Sequence, residues 1–407
     1  MAVPERDKLG LYVSIPFCRS KCTYCNFASG VYPAGEHTRY VQRLIDEMQS
    51  ARKRSENLGV ELPTRVDTIY FGGGTPSLLE ADLIAELFAA IRSEFRFEPD
   101  AEITMECAPG QLADPALAAM VAEGVNRVSL GVQSFIDREA QQSGRLHSRA
   151  VVLDDLARLR TAGITSLNVD LIAGLAGQTF ASWQDSVETV IATGVPHVSI
   201  YMLEVDEESR LGRELLAGGG RYHADLVPTD DTIARMYESA IEWLAAAGLH
   251  QYEISNFARP GFESKHNLRY WQRRPYLGLG LDASSMLLEA GDAGYVVRST
   301  NSDDLKAYLE GSQAPETAWL SPERQHEEAW FLGLRLNGGV SLSALGHEFG
   351  NQAVEGALKI VARLAERELL STESDTVRLT PRGRLLSNDV FQEFLETSVV
   401  EAQVAER

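Results

Sequence analysis

The alternation of strand-like and helix-like segments over the first two hundred residues most constrains the fold. Short apolar, β-branched runs predict strands at Leu11–Ile15, Val66–Phe71, Ala101–Met105, Arg127–Val132, Leu167–Ile172 and His197–Leu203. The stretches between them predict helices at Tyr40–Lys53, Leu78–Phe95, Pro115–Glu123, Ala150–Ala162 and Trp183–Thr193. Repeated strand–helix units imply parallel strands joined by crossovers. Because no dinucleotide fingerprint follows the first strand, we predict an α/β fold built on a partial (β/α)6 barrel.

The second part of the chain has a different pattern. We assign residues 1–240 to the barrel core and residues 241–407 to a mostly helical C-terminal region. A helix at Ala353–Arg367, a hairpin at Leu369–Leu379 and a closing helix at Leu385–Glu396 predict a winged-helix-like end over about residues 320–400. Winged helices often read DNA, but we expect a structural or docking role for this one.

Charge and hydropathy exclude two classes of partner. The chain has 38 basic and 58 acidic residues, a net charge of −20, whereas nucleic-acid binders need Lys and Arg to displace phosphate counterions. No run of 18 apolar residues occurs, so we predict no membrane span. The polar start lacks the apolar segment of a signal peptide. We therefore expect a cytoplasmic protein with no nucleic-acid partner.

Three of the four cysteines lie within eight residues, in the sequence Cys18-Arg-Ser-Lys-Cys22-Thr-Tyr-Cys25. Clustered intracellular cysteines more often bind metal than form disulfides. Three thiolates on one loop can hold a [4Fe–4S] cluster and leave its fourth iron without a protein ligand. A zinc site would need a fourth ligand, and the candidates His37 and Cys107 do not have zinc-ribbon spacing. The spacing therefore favours a cluster on Cys18, Cys22 and Cys25.

Glycines and polar residues follow the later strands. The cysteine loop follows the first strand, and Gly72-Gly-Gly-Thr75 follows the second. Polar side chains then occur at the ends of later strands: Glu106, Gln133, Arg145 shortly after, and Asp170. A buried carboxylate is costly without a partner, so these residues either form structural ion pairs or bind a ligand at the carboxyl-terminal face of the barrel.

The C-x3-C-x2-C loop after a first strand resembles the radical S-adenosylmethionine (SAM) superfamily. In that superfamily the amino and carboxylate groups of SAM chelate the open iron, and a glycine-rich turn contacts its methionine portion. Four segments are similar to the branch that contains oxygen-independent coproporphyrinogen III oxidases and HemW haem chaperones: Ile15–Phe27, Phe71–Ser77, Arg127–Phe135 and Asn168–Leu175. The resemblance covers nearly the whole chain. It implies cofactor contacts at Tyr12, Tyr24, Gly73, Gly74, Thr75, Glu106, Gln133, Arg145 and Asp170.

Three features resemble the chaperones more than the oxidases. Phe27 stands where oxidases carry an extra cysteine, and only 17 residues precede Cys18. The segment His266-Asn-Leu-Arg-Tyr-Trp271 matches the H-N-x-x-Y-W motif of the chaperones. The resemblance implies haem binding, with His266 as axial ligand flanked by Asn267, Tyr270 and Trp271. We expect that binding to weaken as the pH falls through ~6.5. The alternative is a buried hydrogen-bonding cluster in which His266 is structural.

These observations lead to one predicted function and three alternatives. We predict a haem chaperone that binds haem, a [4Fe–4S] cluster and SAM. It would deliver haem to acceptor proteins, membrane respiratory enzymes among them. The first alternative is radical decarboxylation of coproporphyrinogen III, an oxidoreductase of the coproporphyrinogen III dehydrogenase type. The others are radical opening of the haem macrocycle and a winged-helix regulator that senses iron–sulfur status. The sequence leaves open whether the protein is an enzyme.

Overall fold

The computed structural model describes residues 7–291 and 294–395. Its strands, in chain order, are β1 (Lys8–Ile15), β2 (Arg65–Gly73), β3 (Arg96–Cys107), β4 (Arg127–Gln133), β5 (Ser166–Ala173), β6 (His197–Met202), β7 (His250–Gln251), β8 (Asn256–Ala258), β9 (Tyr276–Leu279), β10 (Ser284–Leu288), β11 (Val296–Thr300), β12 (Glu316–Leu320), β13 (Val340–Ser341), β14 (Leu370–Glu373) and β15 (Thr376–Leu379).

Helices separate most of these strands. They are α1 (Gly35–Leu58), α2 (Ala81–Glu94), α3 (Asp114–Ala122), α4 (Asp137–Gln142), α5 (Arg149–Thr161), α6 (Phe180–Thr193), α7 (Arg210–Leu216), α8 (Asp230–Ala246), α9 (Lys265–Trp271), α10 (Leu305–Glu310), α11 (Pro322–Leu334), α12 (Leu342–Phe349), α13 (Asn351–Glu366), α14 (Pro381–Leu385) and α15 (Ser387–Leu395). No helix in the described part of the chain is long and apolar enough to span a bilayer.

The parallel strands β1 to β6 form the predicted partial barrel. They lie side by side in chain order, each parallel to the next. In the described chain the sheet ends at β12 and β7, so the barrel is open. Its core consists of apolar side chains of these strands and of the helices between them. This arrangement confirms the predicted fold class and places the carboxyl ends of six parallel strands along one edge.

The third strand begins earlier in the chain than the sequence predicts. Pro99 lies in its first half, and a proline argues against predicting a strand there. β3 begins at Arg96 and pairs there with β2, whereas its pairing with β4 begins only at Thr104. The first half of β3 is therefore a free edge on one side, where a proline does not remove a ladder hydrogen bond.

The barrel sheet continues beyond residue 240 on both sides. β9 pairs parallel to β1, and β10, β11 and β12 extend that edge in antiparallel fashion. On the other edge β8 pairs with β6, and β7 with β8. The sequence does not predict β7 to β12, which are only two to five residues long. The predicted boundary at residue 240 therefore lies in α8, and strands before and after it belong to one continuous sheet.

A second core lies towards the C-terminus. Strands β13, β15 and β14 form a small antiparallel sheet, packed with α11 to α13 and α15. The Trp330 and Phe394 rings stack at its centre, 4.9 Å apart. The predicted order of helix, hairpin and closing helix is present in α13, β14–β15 and α15, and the short helix α14 precedes α15. Glu396 and the residues after it lie outside the described part of the chain, as do residues 1–6.

Candidate functional site

A cavity of about 920 Å³ opens at the carboxyl ends of the parallel strands. This volume is in the range of small-molecule sites, roughly 300–1,000 Å³. Its lining includes the loop that carries the clustered cysteines and, from the C-terminal region, Arg335 and the segment Leu385–Asp389. The cavity therefore lies between the barrel and the second core.

Hydrogen bonds anchor the cysteine loop to its surroundings. The Cys18 amide donates to the Gly30 carbonyl at 2.8 Å, and the Lys21 ammonium donates to the carbonyls of Phe27 at 2.6 Å and Ser29 at 2.8 Å. The Thr23 amide donates to the carbonyl of Ser143 at 3.1 Å. The loop is thus tied to itself and to the segment after β4, which holds its thiols along the cavity wall.

All three clustered thiols line this cavity. Burial raises the pKa of Cys18, so a thiolate there needs a positive partner such as a metal. Within the described residues, no three His, Cys, Asp or Glu side chains gather around a single ion position. A cubane cluster does not require this, because each thiolate binds a different iron. Cys18, Cys22 and Cys25 could hold such a cluster with its fourth iron facing the cavity.

The glycine turn after β2 packs directly against the base of the cysteine loop. The Gly74 amide donates to the Ile15 carbonyl at 2.8 Å, and the Thr75 amide donates to the Phe17 carbonyl at 2.8 Å. A Cβ atom on Gly74 would lie 2.7 Å from the Phe17 carbonyl oxygen. Gly73 has a φ of +98°, which favours glycine. The turn needs glycine to reach the cavity this close to the cysteines.

Two carboxylates reach the cavity from β3 and β5. Glu106 accepts a hydrogen bond from the Tyr70 hydroxyl at 2.8 Å, and burial raises its pKa to about 7. Asp170 accepts from Ser129 at 3.1 Å and from Asn168 at 2.7 Å, and its pKa is also raised by burial. Both carboxylates face the cavity, where they could contact a cationic ligand.

Arg145 and Gln133 complete the polar wall after β4. Arg145 donates to the Gly131 carbonyl and, at 3.7 Å, to the Cys22 sulfur. Its buried Nε has no hydrogen-bond partner among the described residues. Gln133 has a φ of +70°, and non-glycine residues in this region often mark functional sites. Arg145 could therefore bind an anionic group of a ligand beside the cysteine loop.

The structure brings most of the predicted cofactor contacts together, with one exception. The cavity is lined by Tyr24, Gly73, Gly74, Thr75, Glu106, Gln133, Arg145 and Asp170. Tyr12 does not line it in the described structure. Its ring instead stacks on Tyr70, with centroids 6.2 Å apart. Tyr70 lines the cavity, and Tyr12 supports it from β1, so the contact of Tyr12 with the cofactor stays a prediction.

His266 lies behind the cavity wall, and 1% of its surface is exposed. Its Nδ1 is hydrogen-bonded to the Thr68 hydroxyl at 2.9 Å, and its Nε2 to the Tyr270 hydroxyl at 2.8 Å. The Tyr70 ring stacks on the imidazole, with centroids 5.3 Å apart. In this arrangement both ring nitrogens are occupied, and Tyr70 separates His266 from the cavity.

The expected titration of His266 near ~6.5 is wrong for this structure. Burial and, to a smaller extent, the Arg269 guanidinium lower the pKa of His266 to about 3. The imidazole is therefore neutral throughout the physiological range. The sequence alone could not give this result, because it depends on the burial of the His266 side chain, on α9, against β2 and β3.

The sequence does not predict several residues that line the cavity. These residues are Tyr70, Tyr201, Ser255 and Arg335. Arg335 follows the apolar run Ala329–Leu334 at the end of α11. A charged residue directly after such an apolar run is the sequence signal that could have identified Arg335.

Comparison with known proteins identifies the family. The model of the radical SAM superfamily matches residues 12–190, and the model of the HemN C-terminal domain matches residues 320–386. The chain is 34% identical to the heme chaperone HemW of Lactococcus lactis, over 94% of this chain and 96% of that protein. It is also 34% identical to HemW of Bacillus subtilis, over 94% and 98% respectively.

The fold has a solved counterpart. The structure of coproporphyrinogen III oxidase (HemN) from Escherichia coli aligns with a TM-score of 0.80 at 24% identity, covering 96% of this chain and 91% of that one. Membership of the radical SAM superfamily implies a [4Fe–4S] cluster and SAM as cofactors. The relatives match over nearly their whole length, and the chain belongs to the HemW family of the radical SAM superfamily.

Proposed function

We propose that this protein is a haem chaperone that binds haem together with a [4Fe–4S] cluster and SAM, and passes the haem to acceptor proteins. The observation that carries the proposal is the cavity between the cysteine loop and the C-terminal region. This cavity is lined both by the cysteine loop and by residues of the C-terminal region, so ligands bound in it can contact both. Near-full-length similarity to proteins named heme chaperone HemW supports haem as one of these ligands.

In this proposal Cys18, Cys22 and Cys25 hold the cluster. The SAM molecule would lie over the Gly73–Thr75 turn, with its cationic groups near Glu106 and its carboxylate near Arg145. Bound SAM at a reduced cluster supplies radical chemistry. The residues of this chain bind and orient it, and the packed cavity walls exclude water. The raised pKa of Glu106 supports this placement, because a cationic ligand would stabilise its ionised form.

His266 remains our proposed axial ligand for haem. Imidazole is a common axial ligand of haem iron, and the lowered pKa of His266 keeps the ring neutral. Coordination through Nε2 requires release of the Tyr270 hydroxyl and displacement of the Tyr70 ring that covers the imidazole. We therefore propose that haem binding opens this aromatic cover.

Phe27 supports the chaperone over the oxidase. It occupies the position of the oxidase's extra cysteine, lines the cavity mouth and is 64% exposed. An exposed phenylalanine beside the cysteine loop supplies an apolar contact and no further sulfur ligand. We propose acceptors among the membrane respiratory enzymes and a location in the cytoplasm, where clustered thiols stay reduced.

Anaerobic reconstitution followed by two assays tests the proposal. Haem titration, followed by Soret absorption, should give a saturable complex. Incubation with coproporphyrinogen III, SAM and a reductant should give no protoporphyrinogen IX. Robust conversion of coproporphyrinogen would return the protein to the oxidases, and the absence of any haem complex would refute the chaperone proposal.

A further inference from the structure

Arg335 lines the cavity from the C-terminal region. It follows the last residue of α11, and its carbonyl accepts a hydrogen bond from the Ile254 amide at 3.2 Å. Its neighbours on the cavity wall include Tyr237 and Ser255. The backbone of Arg335 is thus fixed by the segment that connects β7 and β8, and its side chain reaches a ligand-sized space.

Two aromatic rings hold the side chain in place. The guanidinium carbon lies 4.3 Å from the centroid of the Trp271 ring and 5.8 Å from that of Phe391. Trp271 is the last residue of α9, and Phe391 belongs to α15. Contacts of a cation with aromatic faces orient the guanidinium plane and leave its N–H groups without acceptors. The barrel and the C-terminal region therefore both position this cation.

The guanidinium has no hydrogen-bonded acceptor among residues 7–291 and 294–395, and its Nε is buried without a partner. Burial lowers the pKa of Arg335, and Glu253 and Glu204 partly offset this effect from beyond ion-pair distance. Other arginines have carboxylate acceptors. Arg273, for example, donates to both carboxylate oxygens of Glu348, at 2.7 and 2.9 Å.

Arg335 is partly buried, and its Nε is withdrawn from water without an acceptor. Such a group is costly, so a ligand that pairs with it gains a strong, charge-assisted hydrogen bond. We propose that Arg335 binds a carboxylate of the ligand held in this cavity, with Trp271 as its positioning residue. This inference rests on the proposed haem binding, since haem carries two propionate carboxylates. The planar fork of the guanidinium suits a carboxylate in bidentate geometry.

Paired titrations of the reconstituted full-length protein with haem and with haem dimethyl ester test this inference. We expect the wild type to bind the diacid about 10- to 100-fold more tightly than the diester. Arg335→Gln should lose most of this preference through weaker diacid binding, with the affinity for the diester unchanged. Arg324→Gln, at the exposed start of the same helix, should retain the preference. Trp271→Ala should reduce it, because the guanidinium loses its support.

Each other result overturns the inference. Equal diacid preference in wild type and Arg335→Gln would show that the arginine does not contact the propionates. A loss of SAM affinity in Arg335→Gln, with haem binding intact, would assign the arginine to the carboxylate of SAM. A wild type that binds neither haem nor its diester would instead refute the proposed function, and this inference with it.

Discussion

The cysteine loop and the segment around His266 are both rich in side chains that could bind a metal, but their surroundings differ. Along the cysteine loop the thiols line a cavity, and the Nε of Arg145 has no partner in the described structure. Around His266 both ring nitrogens are hydrogen-bonded. The cysteine loop therefore leaves polar groups free for a ligand, whereas the imidazole of His266 has its hydrogen bonds without one, although the buried Nε1 of Trp271 has no partner among the described residues.

The segment around His266 also connects three strands. Arg269 pairs with Asp67 of β2 and donates to the Lys8 carbonyl at 3.3 Å and the Pro275 carbonyl at 3.0 Å. Glu102 of β3 accepts from the backbone amides at the start of α9, the one on His266 at 3.0 Å. A carboxylate at a helix N-terminus is stabilising. The motif is therefore part of the barrel's structure, whatever it does for haem.

The largest expected effect is loss of the cluster from the cysteine loop. Cys18→Ala, Cys22→Ala or Cys25→Ala should each abolish the stable cluster, because three thiolates are needed to leave one iron open. Iron, sulfide and visible absorption after reconstitution measure this. Cys107→Ala is the matched control: this thiol also lines the cavity, but burial raises its pKa to about 12. A cluster lost in Cys107→Ala and kept in Cys25→Ala would reverse the assignment.

The second prediction concerns the structural role of the His266 segment. Arg269→Met leaves Asp67 without its buried partner, so the free energy of unfolding should fall by about 3–5 kcal/mol. Chemical denaturation measures the change. Lys265 lies on the same helix as Arg269, and Lys265→Met removes its exposed ion pair with Asp100 of β3. This change should lower the free energy of unfolding by less than about 1 kcal/mol. Equal losses in the two variants would contradict the structural role.

The third prediction uses Glu106 to test whether the cavity is prepared for a cation. Its folded pKa of about 7 lies above the ordinary value of 4.5, so the folded state binds the extra proton. The contribution of Glu106 to the free energy of unfolding is therefore fully present below pH 4.5. It falls by about 3 kcal/mol in total as the pH rises through 7. Glu106→Gln should remove this loss, so the variant without cofactor should gain stability relative to wild type above pH 7.

Denaturation of both proteins at pH 6 and pH 8.5 measures the difference, and SAM titrations supply the functional arm. Wild-type affinity for SAM should rise with pH as the carboxylate ionises, and Glu106→Gln should bind more weakly with a flat profile. Parallel pH profiles of stability for the two proteins would mean that Glu106 does not carry this proton.

The sequence predicted the barrel strands because each is a buried, β-branched run between glycines or helix caps. The cysteine loop was also predictable, since its three cysteines lie within eight consecutive residues. Burial of His266, by contrast, depends on Thr68 and Tyr70, about two hundred residues earlier in the chain. Arg335 likewise meets Trp271 only after folding. Spacing within a segment is local information, whereas the partners of a buried side chain come from distant segments.

The smallest expected effect separates the two ring nitrogens of His266. If haem iron binds Nε2, the Tyr270 hydroxyl competes with it, and Tyr270→Phe should strengthen haem binding about fivefold, the equivalent of ~1 kcal/mol. Thr68→Val should weaken binding instead, because the bond at Nδ1 orients the ring. Haem titrations by Soret absorption compare these variants with His266→Ala.

With a pKa of about 3, His266 should also contribute no change in haem affinity between pH 8 and pH 5 in the arrangement described. An unchanged Soret band and affinity in His266→Ala would leave the imidazole a purely structural group. The hydrogen bonds of His266 would then only stabilise the barrel, and the axial ligand of the haem iron would have to be another residue that lines the cavity.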